Sequence, residues 1–234
     1  MRVGLLVLCL LLGAGAVNAD EAITAAQIIS GDEISLSDGR VLRLAGIEAT
    51  PDAKAFLQTN VVGHVVTLQD AAPDTDRYGR VVALAHIDGS TETLQDILLQ
   101  NGLAFVYPAL GDEPQLDRML AEENAARQMG KGYWADHADV LPDNAESLYG
   151  KYGFVTGVVT KAERVKNKVY LNFGADWRTD FTIAIAAHDL RAFKNAGADP
   201  LAWQGKKLRV RGWVKRDFGP MITVTDPHQT EFVN

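Results

Sequence analysis

The chain has 234 residues, with 23 Lys and Arg against 30 Asp and Glu, a net charge of −7, and one cysteine. That length allows one large domain or two small ones. A single cysteine excludes an internal disulfide framework.

Arg2, the apolar run Val3 to Leu12 and the small residues ending at Val17-Asn18-Ala19 have the layout of a secretory signal over residues 1–19, cleaved after Ala19. The run is too short to cross a bilayer. The mature protein is therefore expected to be exported, periplasmic or secreted, with no membrane span left. Cys9 would leave with the signal, so neither a disulfide nor a thiol nucleophile remains.

Charge divides the rest. Residues 20–149 carry 8 Lys and Arg against 22 Asp and Glu, a net of −14, whereas residues 150–234 carry 14 against 8, a net of +6. Opposite signs point to two domains that either attract each other or meet polyanions through the second alone.

In the first half, Ile34 and Leu36 alternate with Ser35 and Ser37, and Asp38-Gly39 then leads to Leu42 and Leu44. Asp-Gly between alternating runs predicts a hairpin, because both turn residues tolerate positive φ. A second such unit follows, with Asp88-Gly89 as a turn. Helical patterns begin near Pro51, over Leu94 to Asn101 and over Pro114 to Met129. Residues 135–149 lose periodicity and read as a linker. Beyond them come five strand candidates, Phe154 to Thr160, Lys168 to Phe173, Asp180 to Ala186, Lys207 to Lys215 and Met221 to Thr225, with a helical stretch over Asp189 to Asn195. The fold class expected is mainly β with α: two small barrels of OB type. The first, over residues 20–134, has inserted and C-terminal helices, and the second is a basic module over residues 150–234.

The stretches "GDEISLSDGRVLRLAGIEA", "DRYGRVVALAHIDG", "LLQNGLAFVY" and "AEENAARQMGKGYW" together resemble the staphylococcal nuclease (thermonuclease) family over roughly Gln27 to Trp134. The resemblance implies an OB-type barrel holding one calcium ion beside two arginines, with a glutamate aiding attack of water on a phosphodiester. Residue by residue, Arg43 and Arg80 match the phosphate-clamping arginines. Asp32 matches the first metal carboxylate, and Glu48 stands where a second aspartate is expected. Ala49 replaces a threonine that offers its backbone carbonyl to the ion. The chemistry is coherent, since an arginine fork can hold two phosphoryl oxygens and a cation offsets charge developing in the transition state.

Three positions depart from that pattern: Glu48, Ala49 and the place of the glutamate base. Calcium tolerates glutamate for aspartate at residue 48, yet a shift of about an ångström can cost about a hundredfold in rate. Glu33 neighbours Asp32 along the chain, and strand alternation sends such neighbours to opposite faces. Where the family has Pro-Glu, this chain reads Ala49-Thr50-Pro51-Asp52. Aligned through Pro51, Asp52 stands in for the glutamate; aligned without a gap, Pro51 takes that place and can do no acid/base work, and Asp52 is then free to cap the following helix. Tyr78, Tyr107 and Trp134 read as core or rim residues.

In the second module, alternation puts Lys207, Arg209, Arg211, Trp213 and Lys215 on one face, a cationic strip with an aromatic platform of the kind that holds single-stranded nucleic acid. The same charge could instead dock onto the acidic first domain. The five histidines are scattered without ligand spacing, and no phosphate-cradling glycine loop or nucleophile elbow is present. The sequence thus supports an exported, calcium-dependent nuclease acting on DNA or RNA. Its rival is a degenerate barrel that serves as a nucleic-acid-binding or protein-assembly module.

Overall fold

The computed structural model describes residues 21–69, 75–108 and 113–233. The expected signal, residues 1–19, lies outside them.

Strands β1 (Glu21–Ile28), β2 (Glu33–Leu36), β3 (Val41–Leu44) and β4 (Ile47–Ala49) precede helix α1 (Ala53–Asn60). Then come β5 (Val65–Gln69), β6 (Val81–Ile87), α2 (Leu94–Gln100), β7 (Ala104–Val106) and α3 (Glu113–Gln128). A closed barrel forms in the order β1-β2-β3-β6-β5, with β4 and β7 as a separate pair. The turns fall where Asp-Gly predicted them: Asp38-Gly39 closes the β2–β3 hairpin, with Gly39 at φ 90°, and Asp88 and Gly89, at φ 47° and 75°, turn the chain from β6 towards α2. Inside, Ile34, Leu36, Leu42, Leu44, Val66 and Leu68 are almost wholly buried, so alternation decides which residues fill the barrel. Helix α2 starts on a capping box, Thr93 with Asp96. Its buried Gln95 donates to Ala83 O at 2.9 Å and accepts from Ala85 N–H at 3.3 Å, which satisfies barrel backbone at β6.

The second half holds β8 (Tyr152–Val158), β9 (Lys161–Val165), β10 (Lys168–Asn172), β11 (Thr182–Ala186), α4 (Leu190–Asn195), β12 (Lys207–Asp217), β13 (Gly219–Thr223) and β14 (Thr230–Phe232). The second module, expected as a small OB-type barrel, is a half-barrel: one seven-stranded sheet running β14-β12-β13-β11-β10-β9, with β8 paired to β12. Strands β9 and β14 had no counterpart in the sequence pattern. In the stretch expected as linker, Pro142–Leu148 is a 3-10 helix whose Ala145 and Leu148 pack into the second core.

A third cluster, Phe105, Ala126, Trp134, Tyr152 and Phe154, draws residues from both halves. The Tyr152 hydroxyl donates to Val106 O at 2.9 Å. Beside it, Arg211 of β12 donates to Glu123 of α3 at 2.8 Å, with Arg211 3% and Glu123 0% exposed. No helix among the described residues is long and apolar enough to cross a membrane.

Candidate active site

Asp32 and Arg43 are brought together by local backbone. Leu44 N–H donates to Asp32 O at 2.8 Å, tying the loop before β2 to the end of β3. Gly31 permits the approach to β4: a Cβ there would lie 2.6 Å from Ala49 Cβ and 2.9 Å from Ala53 Cβ. The Ala49 N–H accordingly reaches Asp32 Oδ2 at 3.4 Å. The Arg43 guanidinium, 7% exposed, is held by Leu44 O at 3.2 Å and Ile47 O at 2.9 Å. It meets Asp32 at 2.7 Å and Glu48 at 3.4 Å.

Arg80 is placed by the Asp76–Arg80 turn. Asp76 Oδ1 accepts the N–H of Tyr78 at 2.9 Å and of Arg80 at 3.0 Å, while Oδ2 takes Arg80 Nε at 2.8 Å and Nη2 at 2.6 Å. Those donors, the Arg80 side chain first, pull the Asp76 carboxyl down to about 2. Arg80 Nη1 also pairs with Glu33. Tyr78, 65% exposed, lies with the Arg77 and Arg80 guanidinium carbons 4.8 and 4.9 Å from its ring centre.

These residues line one cavity of about 640 Å³, in which Asp32, Glu33, Glu48 and Asp76 face Arg43, Arg77 and Arg80. Glu33 lines it together with Asp32, against the expectation from alternation. Strand β2 begins at Glu33, so Asp32 belongs to the preceding bend and the period-two rule does not separate the two. Tyr107 and Trp213 complete the lining, the latter from the second half of the chain. Asp76 and Trp213 were not foreseen here. The signal for Asp76 was its i,i+4 spacing to Arg80 across a Gly79 turn, and Trp213 had no local signal.

Asp52 is exposed, stands just before α1 without a side-chain capping bond, and is absent from the cavity lining. Neither role expected of it finds a contact. The strip on β12 is also corrected. Arg211 is buried against Glu123, and Arg209 pairs with Asp139 and with Glu231 at 2.8 Å. Both answer protein carboxylates: Arg211 meets Glu123 of α3, and Arg209 meets Asp139, and also Glu231 of β14, its neighbour across the β12–β14 pair. Lys207, Trp213 and Lys215 remain exposed. Of the three aromatics read as core or rim, Trp134 is buried, whereas Tyr78 and Tyr107 border the cavity.

Among the described residues, no group of three or more His, Cys, Asp or Glu side chains is arranged to hold a metal ion. Asp32 and Glu48 are nevertheless a pair of hard anionic oxygen donors on one cavity, as calcium prefers, with water and main chain left to complete its shell. Burial first, then the Asp32 charge, pushes the Glu48 carboxyl up to about 7 despite Arg43. The donor chemistry of the pair suits calcium, with Arg43 already answering both carboxylates.

That shift has a pH signature. A raised pKa means the native chain prefers the neutral acid. The associated stability is fully present below the unfolded value, 4.5, and is lost as pH rises through about 7. In chelator, Glu48→Gln should therefore match wild type near pH 4 and exceed it at pH 8 by roughly 1–3 kcal/mol. Denaturant unfolding at the two pH values checks this, and a gap that does not change with pH would refute it.

No curated protein matches the chain. Residues 46–136 match the model of the family described as staphylococcal nuclease homologue, a range that contains Glu48, Asp52 and Arg80 and begins after Asp32 and Arg43. With its closed five-stranded barrel and its matched segment, the chain carries a domain of the staphylococcal nuclease type.

Proposed function

We propose that the protein is an exported, thermonuclease-like phosphodiesterase whose cavity binds the phosphodiester backbone of nucleic acid and cleaves it slowly. The observation that carries this reading is the convergence of Arg43 and Arg80 on the cavity that also holds Asp32 and Glu48. Arg43 sits on two carbonyl oxygens and Arg80 on the Asp76 turn, so each fork is oriented before substrate arrives. Asp32 and Glu48 would hold calcium, with the Ala49 main chain beside them. A bound calcium ion would supply positive charge against that developing on the phosphoryl oxygens. Slow turnover follows from the chain's own residues. Asp52 is outside the cavity, and each arginine already answers two carboxylates, which compete with the incoming phosphate.

Those same facts favour a second reading, a barrel that binds nucleic acid without cleaving it. In either, the acidic and basic halves remain docked, a reading supported by the buried Arg211–Glu123 pair.

Digestion of single- and double-stranded DNA and RNA by the mature protein separates the two. The first reading expects cleavage with calcium that stops in chelator. Binding of the same substrates with no cleavage in excess calcium would leave the second.

A further inference from the structure

The proposed reading places a phosphodiester at the arginines and leaves the adjoining base unplaced. Trp213 is where the cavity offers that base a partner. Its residue belongs to β12 of the second half, yet its ring lines the cavity built by the first. It is 41% exposed, so the ring is part open to solvent and part packed. The packed side meets Tyr152 edge-on, with ring centres 6.1 Å apart at 75°.

Trp213 is fixed relative to the arginines through a short chain of contacts. It pairs with Tyr152 in the β8–β12 register. Tyr152 donates to Val106 O, and the Val106 N–H donates to Glu123 Oε2 at 2.7 Å. Glu123 in turn accepts from Arg211, two residues before Trp213. A platform held this way loses little conformational freedom when a base settles on it.

The surface continues past the ring. Tyr107 and Trp213 also line a second hollow of about 230 Å³, where Lys215 joins them. A chain leaving the arginines would thus cross an aromatic rim and reach a cation. Cations along a backbone path and rings under the bases are how sequence-tolerant single-strand sites are made.

We propose that Trp213 is a base-stacking platform lent by the second half to the cavity of the first, so that the two halves together form one site for single-stranded nucleic acid. A duplex base could use it only after leaving its stack, which is costly. The inference rests on the nucleic-acid reading of the cavity.

The test uses the intact mature protein in low salt with chelator, and three labelled probes: a short single strand, the same strand with its bases removed, and the matching duplex. Trp213→Ala should weaken binding of the intact strand on the order of ten- to a hundredfold. It should leave the abasic strand and the duplex nearly unchanged. Trp213→Phe, which keeps a ring, should restore most of the loss, and unfolding of both variants reports whether the fold is kept. Equal effects on intact and abasic strands, or no effect on either, would overturn the platform while leaving the phosphate site standing. Failure of the wild type to bind any probe would overturn the nucleic-acid reading and the platform with it.

Discussion

Glu123→Ala is expected to destabilise the folded chain by about 3–5 kcal/mol, because it strands a buried cation. Glu123 is 0% exposed, and its carboxylate takes the Val106 N–H at 2.7 Å, Arg211 at 2.8 Å and Arg127 at 3.5 Å. Without it, the carboxylate left to Arg211 among the described residues is the distant Glu231, 3.8 Å away and 31% exposed, and the Val106 N–H loses its acceptor. An unpaired buried donor costs its desolvation in full. Glu231→Ala should cost much less, since that carboxylate is partly wet and screened. Replacing Glu123 and Arg211 together, by glutamine and methionine, should recover part of the loss, as removing both charges leaves neither exposed to an apolar interior. Urea unfolding followed by tryptophan fluorescence measures all three. A cost below about 1 kcal/mol for Glu123→Ala would show that the pair does not anchor the halves. Loss of that anchor should also weaken single-strand binding, because Trp213 is positioned through it.

How far the sequence disclosed this arrangement depends on the range over which each feature is decided. The hairpin at Asp38-Gly39, the turn at Asp88-Gly89, the core stripe Ile34, Leu36, Leu42 and Leu44, and the helices α1 to α4 are set by neighbours a few residues away, so their patterns could be read. Arg209 and Arg211 show the limit. Alternation placed them on one face of β12, but their partners lie far away in the chain: Glu123 of α3 is 88 residues from Arg211, and Asp139 is 70 residues from Arg209. Glu123 carried a legible signal that went unread. It continues the buried stripe of Leu116 and Met119 at helical spacing, and a carboxylate at an apolar position calls for a partner. The same holds for Gln95, next to the buried Leu94. At the site, the arginines and Asp32 were legible through family resemblance. Glu33 was misplaced because the start of β2 could not be fixed to one residue. Asp52 was assigned by its place next to Pro51, and that adjacency does not settle whether it points into the cavity.

Arg80→Lys is expected to lower calcium-dependent cleavage by about a hundred- to a thousandfold in kcat/KM, the usual loss when one preorganised donor to developing charge is removed. Lysine keeps the charge, so a merely electrostatic role at Arg80 would survive the change. What it cannot keep is the planar fork, with Nε and Nη2 on one edge held by Asp76 and Nη1 by Glu33. Stability should move by no more than about 1 kcal/mol, because all three groups are roughly a fifth exposed and the lysine ammonium can still answer Asp76. Binding of a single strand should weaken modestly, with its salt dependence nearly preserved, since the count of cations meeting phosphates is unchanged. Arg80→Ala should instead flatten that dependence by about one phosphate contact. The comparison isolates geometry from charge. Cleavage by Arg80→Lys within about tenfold of wild type would mean that the fork does not grip the reacting phosphate, and the resemblance at Asp76–Arg80 would then describe a turn alike in shape alone.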